Sequence, residues 1–218
     1  MADILNLGER DPNYPDVSLK DLGILKLVSV ETGYPLEGLL GAYKLESSYG
    51  RNTQRKGSKY VGPFQFSKEA GEQFGLITMK PNSDGVPILN DDRMDLKASA
   101  YAYVAHVKYN KERYKANIDG NGSMKGNYQL MNEIPEIAFD YMLHQQGGKG
   151  MARLQLAKNP DKVGNANWYY QKIRPTLLKN LTSKQQRYFK RNDVGKQEAL
   201  QHFIKSQITN LGFQWENF

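Results

Sequence analysis

A long helical pattern in the middle of the chain constrains the fold more than any other feature. From about Asp92 to Tyr114, small and aromatic residues recur at the spacing of one helix face. They include Ala98, Tyr101, Ala102 and Ala105. A helix of this length needs neighbouring helices to cover its apolar face, so the pattern favours a mostly α domain.

Helix start and stop signals occur earlier in the chain as well. Ser18 can cap a helix that Gly33 ends, and Pro35 suits the first turn of a second helix that reaches about Ser47. Further helices are predicted after Ser67, over 134–146, over 149–157, over 168–179 and in the segment 183–210. Residues 77–91 are rich in turn-forming residues and predict a long connection.

Composition excludes several classes of protein. The 218 residues are 39% hydrophobic and 24% charged, which is ordinary for a globular protein, and no run approaches the ~18 apolar residues of a membrane span. The first residues show no basic patch followed by an apolar run, so we expect synthesis in the cytoplasm without a signal peptide. Cysteine is absent and the histidines (His106, His144, His202) are far apart. We therefore expect no disulfide, no metal site and no cofactor.

Positive charge is concentrated at the C-terminal end. Residues 149–218 carry 13 Lys or Arg and 4 Asp or Glu, a balance of +9, whereas residues 1–148 have a balance of −2. A basic surface favours polyanionic partners. Both the anionic bacterial cell wall and nucleic acids satisfy this requirement, and charge alone does not choose between them.

Glu46 is the strongest candidate for chemistry. It ends a mostly apolar helical run that begins at Leu39, and burial of a carboxyl group raises its pKa. We expect a raised pKa and a role as proton donor in glycosidic bond cleavage. Most glycosidases use two carboxylates, but no Asp or Glu lies between Glu46 and Gln65.

Five blocks of this sequence carry a resemblance to a known family. They are Glu46-Ser47, Gly62-Pro63-Phe64-Gln65, the helical run 92–103, Leu143-His144-Gln145-Gln146-Gly147, and Tyr169 in an aromatic segment. In this order, over about residues 20–175, the chain resembles the lysozyme-like lytic transglycosylases, the superfamily of soluble lytic transglycosylase and goose-type lysozyme. The fourth block departs from the family pattern, with His144 at a tyrosine position.

The resemblance implies a lysozyme-like helical domain with a catalytic glutamate, Glu46, at the end of a central helix. It implies that Ser47, Gly62, Gln65, Gln145 and Tyr169 bind the substrate. The activity implied is cleavage of the β-1,4 bond between N-acetylmuramic acid and N-acetylglucosamine in peptidoglycan, with formation of a 1,6-anhydro end. Attack by the sugar's own hydroxyl group lets one carboxylate suffice, because the nucleophile is already in place.

Simpler roles remain open for these residues. Ser47 can bond to backbone at the helix end, Gln65 can be a solvated loop amide, and Tyr169 can pack in the core. His144 is more often a packed or surface residue than a catalytic one.

The domain organisation expected is an irregular lead-in over 1–17, a catalytic domain over 18–180, and a basic helical extension over 181–218 packed on the same domain. The predicted partners are peptidoglycan strands and anionic wall or outer-membrane surfaces, with no nucleic acid, and the protein is expected to be a monomer. A missing signal peptide together with wall-degrading chemistry suggests a bacteriophage lysis enzyme released through a holin-type pore, or a virion component.

Three alternatives stay open. A hydrolytic muramidase would use water and a second acid, such as Glu69, Glu72 or Asp95, and a chitin-like substrate is the second alternative. A non-catalytic virion or nucleic-acid-binding protein with the same fold is the third.

Two loops carry further hypotheses. The polar loop 51–60 has four basic residues, and we expect it to border the cleft, to be mobile and to attract wall carboxylates. Residues 117–128 imitate a calcium-binding loop, but its twelfth position is Tyr128 instead of glutamate, which favours a simple turn.

Overall fold

The computed structural model describes residues 11–54, 56–158, 204–206 and 208–210. The chain divides into two compact units, residues 1–106 and 107–218. The helices are α1 (Leu19–Thr32), α2 (Leu36–Ser47), α3 (Lys68–Gln73), α4 (Leu96–Asp119), α5 (Gln129–Glu133) and α6 (Glu136–Lys158), with a short 3-10 helix at Gly122–Met124. Two strands, β1 (Ile77–Pro81) and β2 (Pro87–Asp91), complete the described elements. The mostly helical class is therefore confirmed.

The first two helices begin and end where the sequence predicts. The Ser18 side chain accepts a hydrogen bond from the Asp21 backbone at the start of α1, and Gly33 ends that helix in the left-handed conformation. Helix α2 follows Pro35 and ends at Ser47. The Tyr43 hydroxyl donates to Asp21 at 3.2 Å and thereby joins the two helices.

Aromatic side chains form the centre of the first unit. Phe64 is fully buried and stacks on Tyr103 of α4, with ring centroids 5.0 Å apart. Tyr43 of α2 lies 6.1 Å from Phe64 on another side, and Tyr34 meets Tyr103 edge to face. The loop residue Phe64 thus joins α2 to α4, and aromatic pairs of this kind add stability beyond their buried area.

The connection 77–91 is a correction to the sequence prediction, because it is an antiparallel hairpin. Strands β1 and β2 pair in register from Ile77 with Asp91 to Pro81 with Pro87. The turn between them is closed by the Asn82 side chain, which accepts from the Asp84 and Val86 backbones. Both prolines lie at the turn end of the pairing, where the lost N–H groups weaken the ladder least.

Helix α4 is shifted by a few residues from its predicted bounds. Asp95 accepts from the Ala98 backbone at 2.7 Å and caps the helix, so that it begins at Leu96 and continues to Asp119.

The second unit is built around the kinked helix α6. Gly147 has φ 69° and ψ 162°, which interrupts the helix at the predicted break between 146 and 149. The buried Asn110 side chain accepts from the Gly148 backbone at 2.9 Å and satisfies an N–H group that the kink leaves open. Ile204 and Ile208 are buried in the hydrophobic core of this unit. Among the described residues, no helix is long and apolar enough to cross a membrane.

The predicted boundary at 180/181, the predicted helix 168–179 and Tyr169 lie outside the described residues.

Candidate functional site

Glu46 lies on the last turn of α2, at the end of the face that this helix buries. Leu39 and Tyr43 are buried on this face, and Glu46 follows Tyr43 by three residues. Glu46 itself is half-buried. The helix therefore holds this carboxylate at the boundary between the apolar core and solvent, where a general acid can meet a substrate.

Ser47 is turned inward and is completely buried. Its hydroxyl donates to the Tyr43 carbonyl at 3.1 Å and accepts from the Gly50 backbone at 3.0 Å. Since no part of Ser47 is exposed, it does not offer a direct sugar contact in this structure. Its role here is to fix the chain that leaves α2, which is the backbone role left open above.

Strained backbone conformations lie in or next to two sequence motifs, Glu46-Ser47 and Gly62–Gln65. Within the described part of the chain, three non-glycine residues have positive φ angles: Ser48 (52°), Tyr49 (58°) and Gln65 (51°). This conformation costs roughly 1–2 kcal/mol for a residue with a Cβ atom. Two of these residues follow Glu46-Ser47 directly, and the third ends the Gly62–Gln65 motif. Strain of this kind is a recognised mark of functional sites.

Gln65 connects the second motif to the end of α2. Its amide nitrogen lies 2.7 Å from the Gly62 carbonyl, 3.1 Å from the Thr53 carbonyl and 3.5 Å from the Asn52 carbonyl. The Asn52 backbone in turn donates to the Ser47 carbonyl at 2.9 Å. Two successive hydrogen bonds therefore link Gln65 to the residue after Glu46. Its amide hydrogens are used by the protein, which leaves the side-chain carbonyl as the group available to a ligand.

Gly62 is required by a close backbone approach. Its φ is 89°, and a Cβ atom at this position would lie 1.8 Å from the Arg93 carbonyl oxygen. The Gly62 backbone also donates to the Thr53 carbonyl at 2.7 Å. Any side chain here would push the motif away from the segment that precedes α4.

Arg93 is a positioning residue that sequence reasoning missed. Its guanidinium donates to both Asp91 oxygens, with the shorter distance 2.7 Å, and to the Phe66 carbonyl at 3.3 Å. The hydrogen bond to Asp91 raises the pKa of Arg93, although burial alone would lower it. Arg93 thus joins the hairpin to the turn that carries Gln65. The sequence Asp91-Asp92-Arg93 beside a predicted turn is a local signal for the Arg93–Asp91 pair, but not for the contact with Phe66.

The loop 51–60 begins at the candidate site. The backbone N–H groups of Gly50 and Asn52 both bond to Ser47, and the bridge between Gln54 and Val61 closes the loop at its base. Its described basic side chains are exposed. Its mobility stays a prediction.

The fourth and fifth blocks contribute Gln145 and Tyr169 to the predicted site. Gln145 is exposed on α6 in the second unit, two residues before the kink, and its amide donates to the Tyr141 hydroxyl at 2.8 Å. Tyr169 lies outside the described residues. The described hydrogen bonds join Ser47, Gly62 and Gln65 to one another through Asn52 and Thr53, and Glu46 directly precedes Ser47.

The acids considered for a hydrolytic mechanism are poorly suited to the task. Glu69 and Glu72 are exposed on α3, and Glu72 pairs with Lys68. Backbone and Ser67 hydrogen bonds lower the pKa of Glu69. Asp95 is occupied as the cap of α4.

The loop 117–128, which resembles a calcium-binding loop in sequence, is held by hydrogen bonds between its own residues. Asp119 accepts from the Gly126 backbone at 2.9 Å and from the Tyr128 hydroxyl at 2.9 and 3.0 Å. Tyr128, the residue at the twelfth position, therefore binds the carboxylate that a cation would need. In the described ranges, no three or more acidic, histidine or cysteine side chains are grouped as a metal site.

Comparison of the chain with protein-family models, with curated proteins and with solved structures finds no match.

Proposed function

We propose that the protein is a peptidoglycan lytic transglycosylase in which Glu46 is the only catalytic carboxylate. The observation that carries this proposal is the hydrogen-bonded link between two sequence motifs, each of which has strained backbone in it or directly after it. The helix end with Glu46-Ser47 and the turn Gly62–Gln65 are 15 residues apart in sequence, yet they are linked through the Asn52 backbone. Of the three described non-glycine residues with positive φ, Ser48 and Tyr49 directly follow the first motif and Gln65 ends the second.

In this proposal Glu46 protonates the glycosidic oxygen of the leaving sugar and then accepts a proton from the 6-hydroxyl of N-acetylmuramic acid. That hydroxyl attacks the anomeric carbon of its own sugar, so the bond to the leaving sugar breaks and a 1,6-anhydro ring forms. No water enters the product. The substrate's acetamido group supports the positive charge that develops at the anomeric carbon.

The surroundings of the other acids favour this reaction over hydrolysis. Most hydrolytic glycosidases use a second carboxylate across the sugar from the first. The three acids considered for that role are exposed or already used as a helix cap, as described above. The lytic mechanism does not require a second carboxylate.

We propose peptidoglycan as the polymer bound and the cell wall as the place of action, with a phage lysis or virion role as the biological setting.

Glu46→Gln tests the proposed function directly, since the amide keeps the shape and removes the proton. We expect a loss of roughly a thousandfold or more in wall-degrading rate. The matched control is Glu37→Gln, an exposed glutamate in the first turn of the same helix, which should stay close to wild type. Retention of more than about a tenth of the activity in Glu46→Gln would remove the assignment of Glu46.

A further inference from the structure

An acid-free stretch of chain lies next to the proposed catalytic residue. No Asp or Glu occurs between Glu46 and Glu69, although this stretch contains five Lys or Arg residues. Four of these belong to the loop 51–60, and the fifth is Lys68. The stretch therefore supplies positive charge at the site. Lys68 is paired with Glu72, and Glu69 is the acid whose charge Lys59 senses, whereas neither residue forms an ion pair with Arg51 or Lys56.

The described cations of this loop are exposed and carry no ion pair with a described residue. They are Arg51, Lys56 and Lys59. Elsewhere in the same unit, Lys26, Lys68, Lys80 and Arg93 each form an ion pair with an acid. Lys59 lies 5.3 Å from the centre of the Tyr60 ring, an arrangement that leaves its ammonium group at the surface.

The base of the loop fixes how far these charges can lie from the site. Asn52 is hydrogen-bonded to Ser47, and Lys56 follows it by four residues, so their Cα atoms are at most about 14 Å apart. Lys59 precedes Gly62 by three residues, which limits that distance to about 10 Å. The distance between these cations and the site is therefore no greater than the length of a short peptide.

We propose that the loop 51–60 binds the carboxylates of the peptidoglycan stem peptide and makes the enzyme prefer peptide-bearing strands. The stem peptide is the short acidic peptide attached by an amide bond to the lactyl group of N-acetylmuramic acid. Because the peptide is attached to the sugar whose bond is cut, its carboxylates are held near the loop whenever the sugar is bound. This inference rests on the proposed function.

The test compares two forms of the same glycan. One is intact un-cross-linked strands, and the other is strands from which an amidase has removed the peptides, leaving the lactyl carboxylate on the sugar. The rate of formation of anhydro ends is measured on both, and their ratio gives the preference for peptide. The variant is Lys56→Gln with Lys59→Gln, and the matched control is Lys20→Gln with Lys97→Gln, two exposed lysines of the same unit without a described ion pair.

We expect the preference for peptide-bearing strands to fall about three- to tenfold in the loop variant and to stay unchanged in the control, since exposed charge pairs contribute modestly. The difference between loop variant and wild type should shrink as salt rises, because about 1 M salt reduces the screening length to about 3 Å. An unchanged preference, or an equal loss on both substrates, would overturn the inference while the proposed function stood. If the wild-type protein cleaves neither substrate, the proposed function fails and the inference fails with it.

Discussion

Replacement of Gly62 by alanine tests how the second motif is held in place. The new Cβ would lie 1.8 Å from the Arg93 carbonyl oxygen and 2.7 Å from its carbon, so the backbone must move by about 1 Å to reach the shortest contacts that real Cβ atoms make. Overpacking of this kind costs about 1–3 kcal/mol. The left-handed conformation at φ 89° adds about 1–2 kcal/mol for any residue other than glycine.

Gly75→Ala is the matched control for this change. Gly75 has φ 74°, but nothing lies within 4 Å of a Cβ atom there, so only the conformational cost applies. With a urea dependence of about 2 kcal/mol per molar, the unfolding midpoint of Gly62→Ala should lie about 0.5–1.5 M below that of Gly75→Ala. Circular dichroism in urea measures both midpoints. Equal midpoints in the two variants would refute the close approach between Gly62 and Arg93 that defines the turn.

Three further changes address the side chains of this unit. Ser47→Ala should lower stability by about 1–3 kcal/mol, because the partly buried Gly50 N–H loses its acceptor, and an unchanged melting temperature would contradict that hydrogen bond. Gln65→Glu should reduce both melting temperature and activity more than Gln65→Ala does. A carboxylate cannot donate to the three carbonyl groups and repels them. A larger loss in Gln65→Ala would show that the amide is oriented the other way. Burial lowers the pKa of His106 to about 4, below the unfolded value of 6.5. The unfolded state therefore binds the proton first, and stability should fall by up to about 3 kcal/mol from pH 6.5 to 4, a slope that His106→Gln should flatten in urea titrations.

The helices were predictable because their ends are encoded locally. Ser18, Gly33 and Pro35 determine the bounds of α1 and α2 through capping and backbone preferences. Gly147 interrupts α6 at the predicted position.

The hairpin 77–91 was missed for a physical reason. Met79 and Leu89 face each other across the strands and are both about 60% exposed, so burial imposes no alternating pattern on the sequence. The prediction instead followed Pro81, Pro87 and the turn residues between them. In the structure these residues form only the turn that joins the two strands.

The candidate site was predictable as a set of residues but not as a set of roles. Sequence indicated Glu46, Ser47, Gly62 and Gln65, and hydrogen bonds through Asn52 and Thr53 link the last three next to Glu46 at the end of α2. The sequence could not show that the Ser47 side chain is turned inward. A small rotation of the last turn of α2 decides whether this side chain faces the core or the solvent. Contacts over long sequence separations, such as that of Arg93 with the Phe66 carbonyl, also leave no local signal.

Heavy-oxygen labelling of the cleavage products tests the central proposal most directly. Peptidoglycan is digested by the wild-type protein in water enriched in the heavy oxygen isotope, and the masses of the released muropeptides are measured. The lytic mechanism with Glu46 as the single catalytic carboxylate predicts new ends that are lighter than hydrolysed ends by one water and carry no label, and no such ends from Glu46→Gln. Labelled reducing ends from the wild-type protein, or anhydro ends from Glu46→Gln at more than about a tenth of the wild-type rate, would contradict it.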